Sequence, residues 1–323
     1  LEKIMNEFKI INDYFKILSK KNPAAKNLND DVFFDSKSGM VISIDTYNSN
    51  VHFKGFKYPY LIIKKIIRSS LSDIICKGVI PKYYFLSGGG NKNTFTKRNL
   101  SLISKSLKEE QKKYSIKIGG GDTVYSKIPT FTVTTIGFAK SIIERNKAKI
   151  QDDIYVTGNL GDSFLGLKFI KNNKIGPKKF QKYFINKYYC PEIPFHFSKT
   201  LKNFANTSID ISDGLISDMY RLINKQNLSF EIDLNSIPIS RNLTTYLKNY
   251  NKKKQELVFN GDDYQLLFTS SKKNRRKIST IAQKMNQKIT IIGKINNSYK
   301  SNILKLGNKS LKLAKYKGYS HKF

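Results

Sequence analysis

The stretch TSIDISDGLISDM, residues 207–219, gathers Asp210, Asp213 and Asp218 around one glycine, in a chain with 58 Lys and Arg against 24 Asp and Glu. Carboxylates this scarce and this close either cap and decorate a helix or surround a cation. Further aspartates stand at expected strand ends and helix termini: Asp30 and Asp31 in NDDVFF, Asp45 in SIDT, Asp73 in LSDI and Asp122 in GGGDT. Any one of them is ordinary turn chemistry, and Ser212 or Asp213 would cap the helix GLISDMYRLINK. Together they describe a cleft at the edge of a sheet. Two carboxylates 4 Å apart repel by about 1–4 kcal/mol depending on local polarity, so such a cluster needs a hard dication. With almost no soft ligands nearby, magnesium fits better than zinc. Magnesium held by carboxylates usually shares its shell with phosphate oxygens, which makes the cluster a candidate nucleotide site.

The common phosphate-binding signatures are missing. There is no GxxxxGK[ST] loop, no GxGxxG between strand and helix and no protein-kinase catalytic loop, and SGGGNKN (87–93) reads as a flexible turn. Other chemistries find little support. Cys76 and Cys190 make no disulfide framework or CxxC pair and read as small buried thiols. His52, His196 and His321 have neither HExxH nor triad-like spacing. The formal charge is +34, but only seven of the basic residues are arginine and the lysines scatter beside Asn and Ile. That is the pattern of solvated faces rather than of a nucleic-acid surface. No apolar run reaches the roughly 18–20 residues of a membrane span, so a soluble cytoplasmic protein is expected.

The elements that must position these acids alternate between strand and helix. Ile4, Phe8, Ile11, Phe15 and Leu18 repeat at helical spacing over residues 1–20. MVISID (40–45) is a strand, and YPYLIIKKIIRSSLSDIICKG (58–78) is a helix opened by Pro59 and stopped by Gly78. KYYFLS is a strand and KRNLSLISKSLKEEQKKY (97–114) a helix. SIKI and TFTVTTIGFA are strands flanking GGGDT, which is expected as a turn. Polar KSIIERNKAKIQDD (140–153) reads as a joint, followed by IYVTG, a helix, and the strands SFEIDL, YQLLFTS and KITIIGKI. The expectation is an α/β or α+β protein with domains at 1–150 and 151–323.

The order of motifs resembles the thiamine-monophosphate kinases, of the PurM-like superfamily shared with aminoimidazole ribonucleotide synthetase and selenophosphate synthetase. NDDV, SIDTYNSNVHF, SLSDIICKG, GGGDTV, IYVTGNLGDSFLGL, DISDGLISD, NGDDYQLLFT and YKGYSH follow one another nearly end to end. The resemblance implies an N-terminal ATP- and magnesium-binding α/β domain whose sheet pairs across a homodimer, plus a C-terminal α/β domain. It implies magnesium-dependent in-line transfer from ATP to thiamine monophosphate, with several magnesium ions. Magnesium ligands would be Asp30, Ser43, Asp45, Asp73, Asp122, Asp210 and Asp213. ATP contacts would come from Gly121, Asp122, Arg145 and Ser212, and His52, Asp262 and Tyr316 would face thiamine monophosphate. No residue beyond the metal ligands is implied as catalytic. The chain departs from the family at Asn27, Asn29 and Asn260, which replace glycines, at Ile44 and Gln265, and at Tyr316 where tryptophan occurs. Competing readings are another ATP-dependent enzyme of the superfamily or a basic nucleic-acid-binding relic. The first cysteine at Cys76 and the C-terminal SHKF weigh against the former, and the absence of an RRM, KH or helix-turn-helix pattern against the latter.

Overall fold

The computed structural model describes residues 6–297, 301–313 and 319. Two sheets organise it. The first contains β1 (Phe33–Asp35), β2 (Met40–Asn48), β3 (Pro81–Gly90), β4 (Lys117–Tyr125) and β5 (Thr130–Phe138) in the order β1-β2-β5-β3-β4. The second contains β6 (Asp153–Thr157), β7 (Thr207–Asp210), β8 (Leu228–Asp233), β9 (Leu266–Ser270), β10 (Ile289–Asn297), β11 (Ile303–Leu306) and β12 (Lys309–Lys312). Its order is β12-β11-β8-β10-β6-β9-β7. The helices are α1 (Glu7–Ile10), α2 (Pro59–Ile75), α3 (Lys97–Tyr114), α4 (Asp162–Lys171), α5 (Lys178–Tyr189), α6 (Phe195–Leu201), α7 (Leu215–Leu222), α8 (Arg241–Asn249), α9 (Gln255–Val258) and α10 (Arg275–Lys284). The architecture is the expected mixed α/β one.

Helix α2 joins the two halves. It is buried nearly all round, because β2 and β5 cover one side while α5, α6 and β7 pack on the other. Ile62, Ile63, Ile66 and Ile67 therefore belong to a core cluster that also contains Tyr188, Phe197 and Phe268 from the C-terminal half. A helix with no solvent face must pair its polar residues internally. Arg68 does so through two hydrogen bonds to Glu110, at 2.8 and 3.0 Å, and Ser69 donates back to the Lys65 carbonyl at 2.8 Å.

The glycine run GGGDT is not a turn. Strands β3 and β4 are parallel, so α3 serves as the crossover between them, and pairing with β3 keeps β4 extended through Gly120, Gly121 and Asp122. Gly121 is required there: a Cβ would stand 1.9 Å from the Leu86 carbonyl oxygen. The same pairing draws Ser87–Gly90 of SGGGNKN into β3, leaving only the following residues as a turn. β4 is the sheet edge and is exposed along its whole length.

The N-terminal apolar repeat is helical but finds no core. From Glu7 to Ser19 the chain passes from α1 through a π-helical turn to a 3₁₀ turn, so residues per turn change and the stripe does not stay on one face. Phe15 is 50% and Leu18 79% exposed, while Phe8 lies 4.5 Å from the Arg221 guanidinium. Ile4 falls outside the described residues.

Candidate active site

The acids converge where the C-terminal end of α2 meets the end of β7 and the turn before β1. Asp31, Asp73 and Asp210 bring carboxylate oxygens within 4.8 Å of one another, the one such group among the described residues. Hydroxyls fix two of them: Ser43 donates to Asp73 Oδ2 at 2.6 Å, and Ser72 to Asp210 Oδ2 at 2.6 Å. Asp45 stands two residues beyond Ser43 on β2. Burial raises its pKa to about 6 against hydrogen bonds from Ser70 and Tyr47. Burial, then the charges of Asp45 and Asp210, hold Asp73 well above the usual carboxylate range. Asp210 is likewise raised, by burial first, with Asp45 adding to it against the Ser72 hydrogen bond. Burial leads in all three, and neighbouring carboxylates add to it for Asp73 and Asp210.

Asp30 and Asp31 divide their work. Asp30 turns to Lys77, 2.6 Å from its Oδ1, and accepts the Arg145 backbone N–H on Oδ2 at 3.1 Å. Asp31, not anticipated as a ligand, reaches the cluster and pairs with both Lys77 and the Arg145 guanidinium. Arg145 thus forks around an acid in this structure, with its Nε 3.2 Å from Asp31 Oδ2. Of the two asparagines before Asp30 that stand where the family has glycine, only Asn27 takes a backbone conformation that favours glycine. Asn27 has φ +55°, a left-handed conformation that asparagine tolerates.

The stretch 207–219 answers its own question. Neither Ser212 nor Asp213 caps α7. Asp218, from inside the first turn, accepts the N–H groups of Asp213 and Gly214 at 3.1 and 3.0 Å. Gly214, at φ +123°, lets the chain pass the Phe259 carbonyl, which a Cβ would meet at 2.1 Å. With the cap supplied by Asp218, Asp210 is left for the cluster and Ser212 for a 3.3 Å hydrogen bond to it. Asp213 pairs with Arg221. It lines a cleft of about 790 Å³ with Asp30, Arg145 and Phe8.

Asp122 and Gly121 do not join the cluster within one chain. Asp122 is in cross-strand register with Ser87, Thr132 and Thr46. Paired residues share a face, so it lies on the exposed face, opposite Asp45, and three strand spacings away, roughly 14 Å.

Across α2, His52 and Asp262 are linked through residues that the motifs did not single out. Tyr188 donates to the His52 carbonyl at 2.7 Å, and its ring lies 3.4 Å from Lys65 Nζ. Lys65 in turn is 2.6 Å from Asp262 Oδ1, where Tyr264 also donates at 3.0 Å. The His52 ring accepts the Asn48 N–H on Nδ1 at 3.0 Å, which places its proton on Nε2. Burial lowers the Lys65 pKa against the opposing pull of Asp262. The signal for Lys65 and Lys77 was available in part, as cations inside the apolar run of 61–80. Tyr316 lies outside the described residues.

The sequence model of the family described as AIR synthase related protein, N-terminal domain, matches residues 28–139. A thiamine-monophosphate kinase of Buchnera aphidicola subsp. Schizaphis graminum is 34% identical, covering 98% of both chains. One from Aquifex aeolicus is 30% identical over 84% of this chain and 87% of its own. A solved structure described as AaThiL complexed with AMPPCP and TMP superposes with a TM-score of 0.84 at 26% identity, covering 98% of this chain and 97% of that one.

Proposed function

Because the chain belongs to the thiamine-monophosphate kinase family, we infer that it transfers the γ-phosphoryl group of ATP to thiamine monophosphate, releasing ADP and thiamine diphosphate. The observation that carries this reading to the residues is the convergence of Asp31, Asp73 and Asp210 from separate elements. In the transfer, a phosphate oxygen of the acceptor forms the new P–O bond as the bond to the ADP oxygen breaks. The second pKa of a phosphate monoester is about 6, so the acceptor is mostly dianionic at neutral pH and no side chain has to take a proton from it.

The donor set fits magnesium: hard carboxylate oxygens, a nearby serine hydroxyl and like charges that a dication relieves. We assign the ion sites to Asp31, Asp73 and Asp210, with Ser43, Asp45 and Asp213 alongside. Asp30 supports Asp31 through their shared contact with Lys77. When bound, magnesium supplies charge neutralisation and alignment of phosphate oxygens. The protein's own residues set the geometry. Ser43 holds one oxygen of Asp73, while Ser72 and Ser212 hold the two oxygens of Asp210 and so fix its orientation. Arg145 brings a planar fork suited to phosphate, and Ser212 flanks it. On the far side of α2, Lys65 and Tyr264 fix one oxygen of Asp262, leaving the second for the cationic ring of the acceptor near His52, with Tyr316 as the stacking partner.

The homodimer is part of the proposal, supported by the first sheet. Its open face carries the exposed Ile44, Phe85 and Phe138, and its free edge β4 carries Val124 and Tyr125. A second copy covering this face would receive Gly121 and Asp122 at its own site, which explains a ligand set divided between two faces. The division into units at 1–150 and 151–323 follows the two sheets. No helix among the described residues is long and apolar enough to cross a membrane, and the free thiols of Cys76 and Cys190 suit the reducing cytoplasm that we propose as the setting.

Incubating the purified protein with ATP, thiamine monophosphate and magnesium tests the reading. Thiamine diphosphate and ADP should appear in equal amounts; ATP hydrolysis without thiamine diphosphate would overturn it.

A further inference from the structure

Lys77 is an unusual residue for its position. It is fully buried, two residues past the end of α2, where Gly78 at φ +69° turns the chain away. Its ammonium touches three oxygens and no solvent: Asp30 Oδ1 at 2.6 Å, Asp31 Oδ2, and the Ser208 carbonyl at 3.1 Å. Two carboxylates and a backbone carbonyl are the donors that hold a hard cation. Asp31 is itself a member of the carboxylate group with Asp73 and Asp210. The end of a helix favours positive charge as well, through the partial negative charge of its last carbonyls. Within this region two cations, Lys77 and Arg145, face four carboxylates, Asp30, Asp31, Asp73 and Asp210.

We propose that Lys77 is a positioning residue acting as a built-in cation of the acidic cluster, its ammonium filling a place that a further dication would otherwise take. The proposal rests on the metal reading above and deepens it. The fixed charge keeps the Asp30–Asp31 turn folded inward before nucleotide and metal arrive. Asp31 is thereby held facing Asp73 and Asp210 with part of its charge already balanced. It also sets how many divalent ions the site takes up, since removing the ammonium leaves Asp30 Oδ1 and the Ser208 carbonyl without their cation, beside an Asp31 Oδ2 that Arg145 also contacts.

Counting bound Mn²⁺ by equilibrium dialysis in the presence of a non-hydrolysable ATP analogue tests this without reference to turnover. K77M should bind one ion more than the wild-type protein at saturation and gain more thermal stability from Mn²⁺. K77M/D30N, in which the lost cation is matched by a lost anion outside the Asp31, Asp73 and Asp210 group, should return to the wild-type count. A purely packing role for the lysine would leave the count unchanged. An unchanged or lower count in K77M, or a K77M protein that stays unfolded even in excess Mn²⁺, overturns the proposal. A wild-type protein that binds no Mn²⁺ overturns the metal site itself and this proposal with it.

Discussion

With no cation bound, Asp45 keeps its proton up to about pH 6, because burial disfavours the carboxylate more than Ser70 and Tyr47 favour it. The folded-state value lies above that of the unfolded chain, so the ionised group costs stability at pH 7 and the cost disappears as pH falls through 6 towards 4. Lowering the pH from 7 to 5 without metal should therefore raise the melting temperature, and Asp45 alone contributes about 1 kcal/mol to that gain. D45N should be more stable than the wild type at pH 7 and show a flatter profile, and magnesium should flatten the wild-type profile. Differential scanning calorimetry with a chelator checks this; a melting temperature that falls between pH 7 and 5 contradicts it. The acids of the site were readable because carboxylates are scarce and recur at element ends. Which member of Asp30–Asp31 faces the cluster was not, because adjacent residues in a turn point apart and only tertiary contacts with Lys77 and Arg145 decide between them.

At the scale of single elements, α7 makes the sharpest claim. Its first turn is closed by Asp218, which is fully buried and accepts two N–H groups. Removing that acceptor in D218A should cost about 1–3 kcal/mol, since two donors lose their partner in a buried setting. S212A should stay within about 0.5 kcal/mol of the wild type in stability. Urea unfolding of the two variants distinguishes them, and an S212A as damaging as D218A would mean the cap is misassigned. Element identity was largely visible from periodicity: α3 begins and ends at the expected residues 97 and 114. The two misread glycine runs share one cause. Glycine in GGGDT and SGGG suggests a turn locally, yet the parallel pairing of β3 with β4 makes both runs strand, and pairing between distant segments leaves no local trace. The N-terminal repeat fails differently, since its spacing announces a helix but not whether anything packs on it.

For the whole molecule, the proposed dimer divides each site between copies, with Asp45 from one and Asp122 from the other. D45N and D122N proteins should each be inactive alone. Mixed under conditions that let subunits exchange, they should recover roughly a quarter of wild-type activity, because half of the dimers are mixed and each then holds one intact site. No recovery from subunits shown to exchange would place both aspartates in one copy's site. The surface offered to the proposed dimer was not readable from residue spacing, as exposure of β4 is a property of the folded sheet. The reading of the lysine excess as solvated surface sits with the internal use of arginine: Arg68, Arg145, Arg221 and Arg275 all pair with acids of the same chain.

In the proposed transfer, carboxylates from separate elements jointly hold the ion that directs a phosphoryl group to thiamine monophosphate. The rate of thiamine diphosphate formation as a function of magnesium concentration, in the wild type and in D73N, tests it most directly. The wild type should show no product without a divalent ion and a saturable rise with magnesium. D73N should lose about three orders of magnitude in rate, near 4 kcal/mol of transition-state stabilisation, while remaining folded. A D73N protein that forms thiamine diphosphate at the wild-type rate under limiting magnesium would contradict the account.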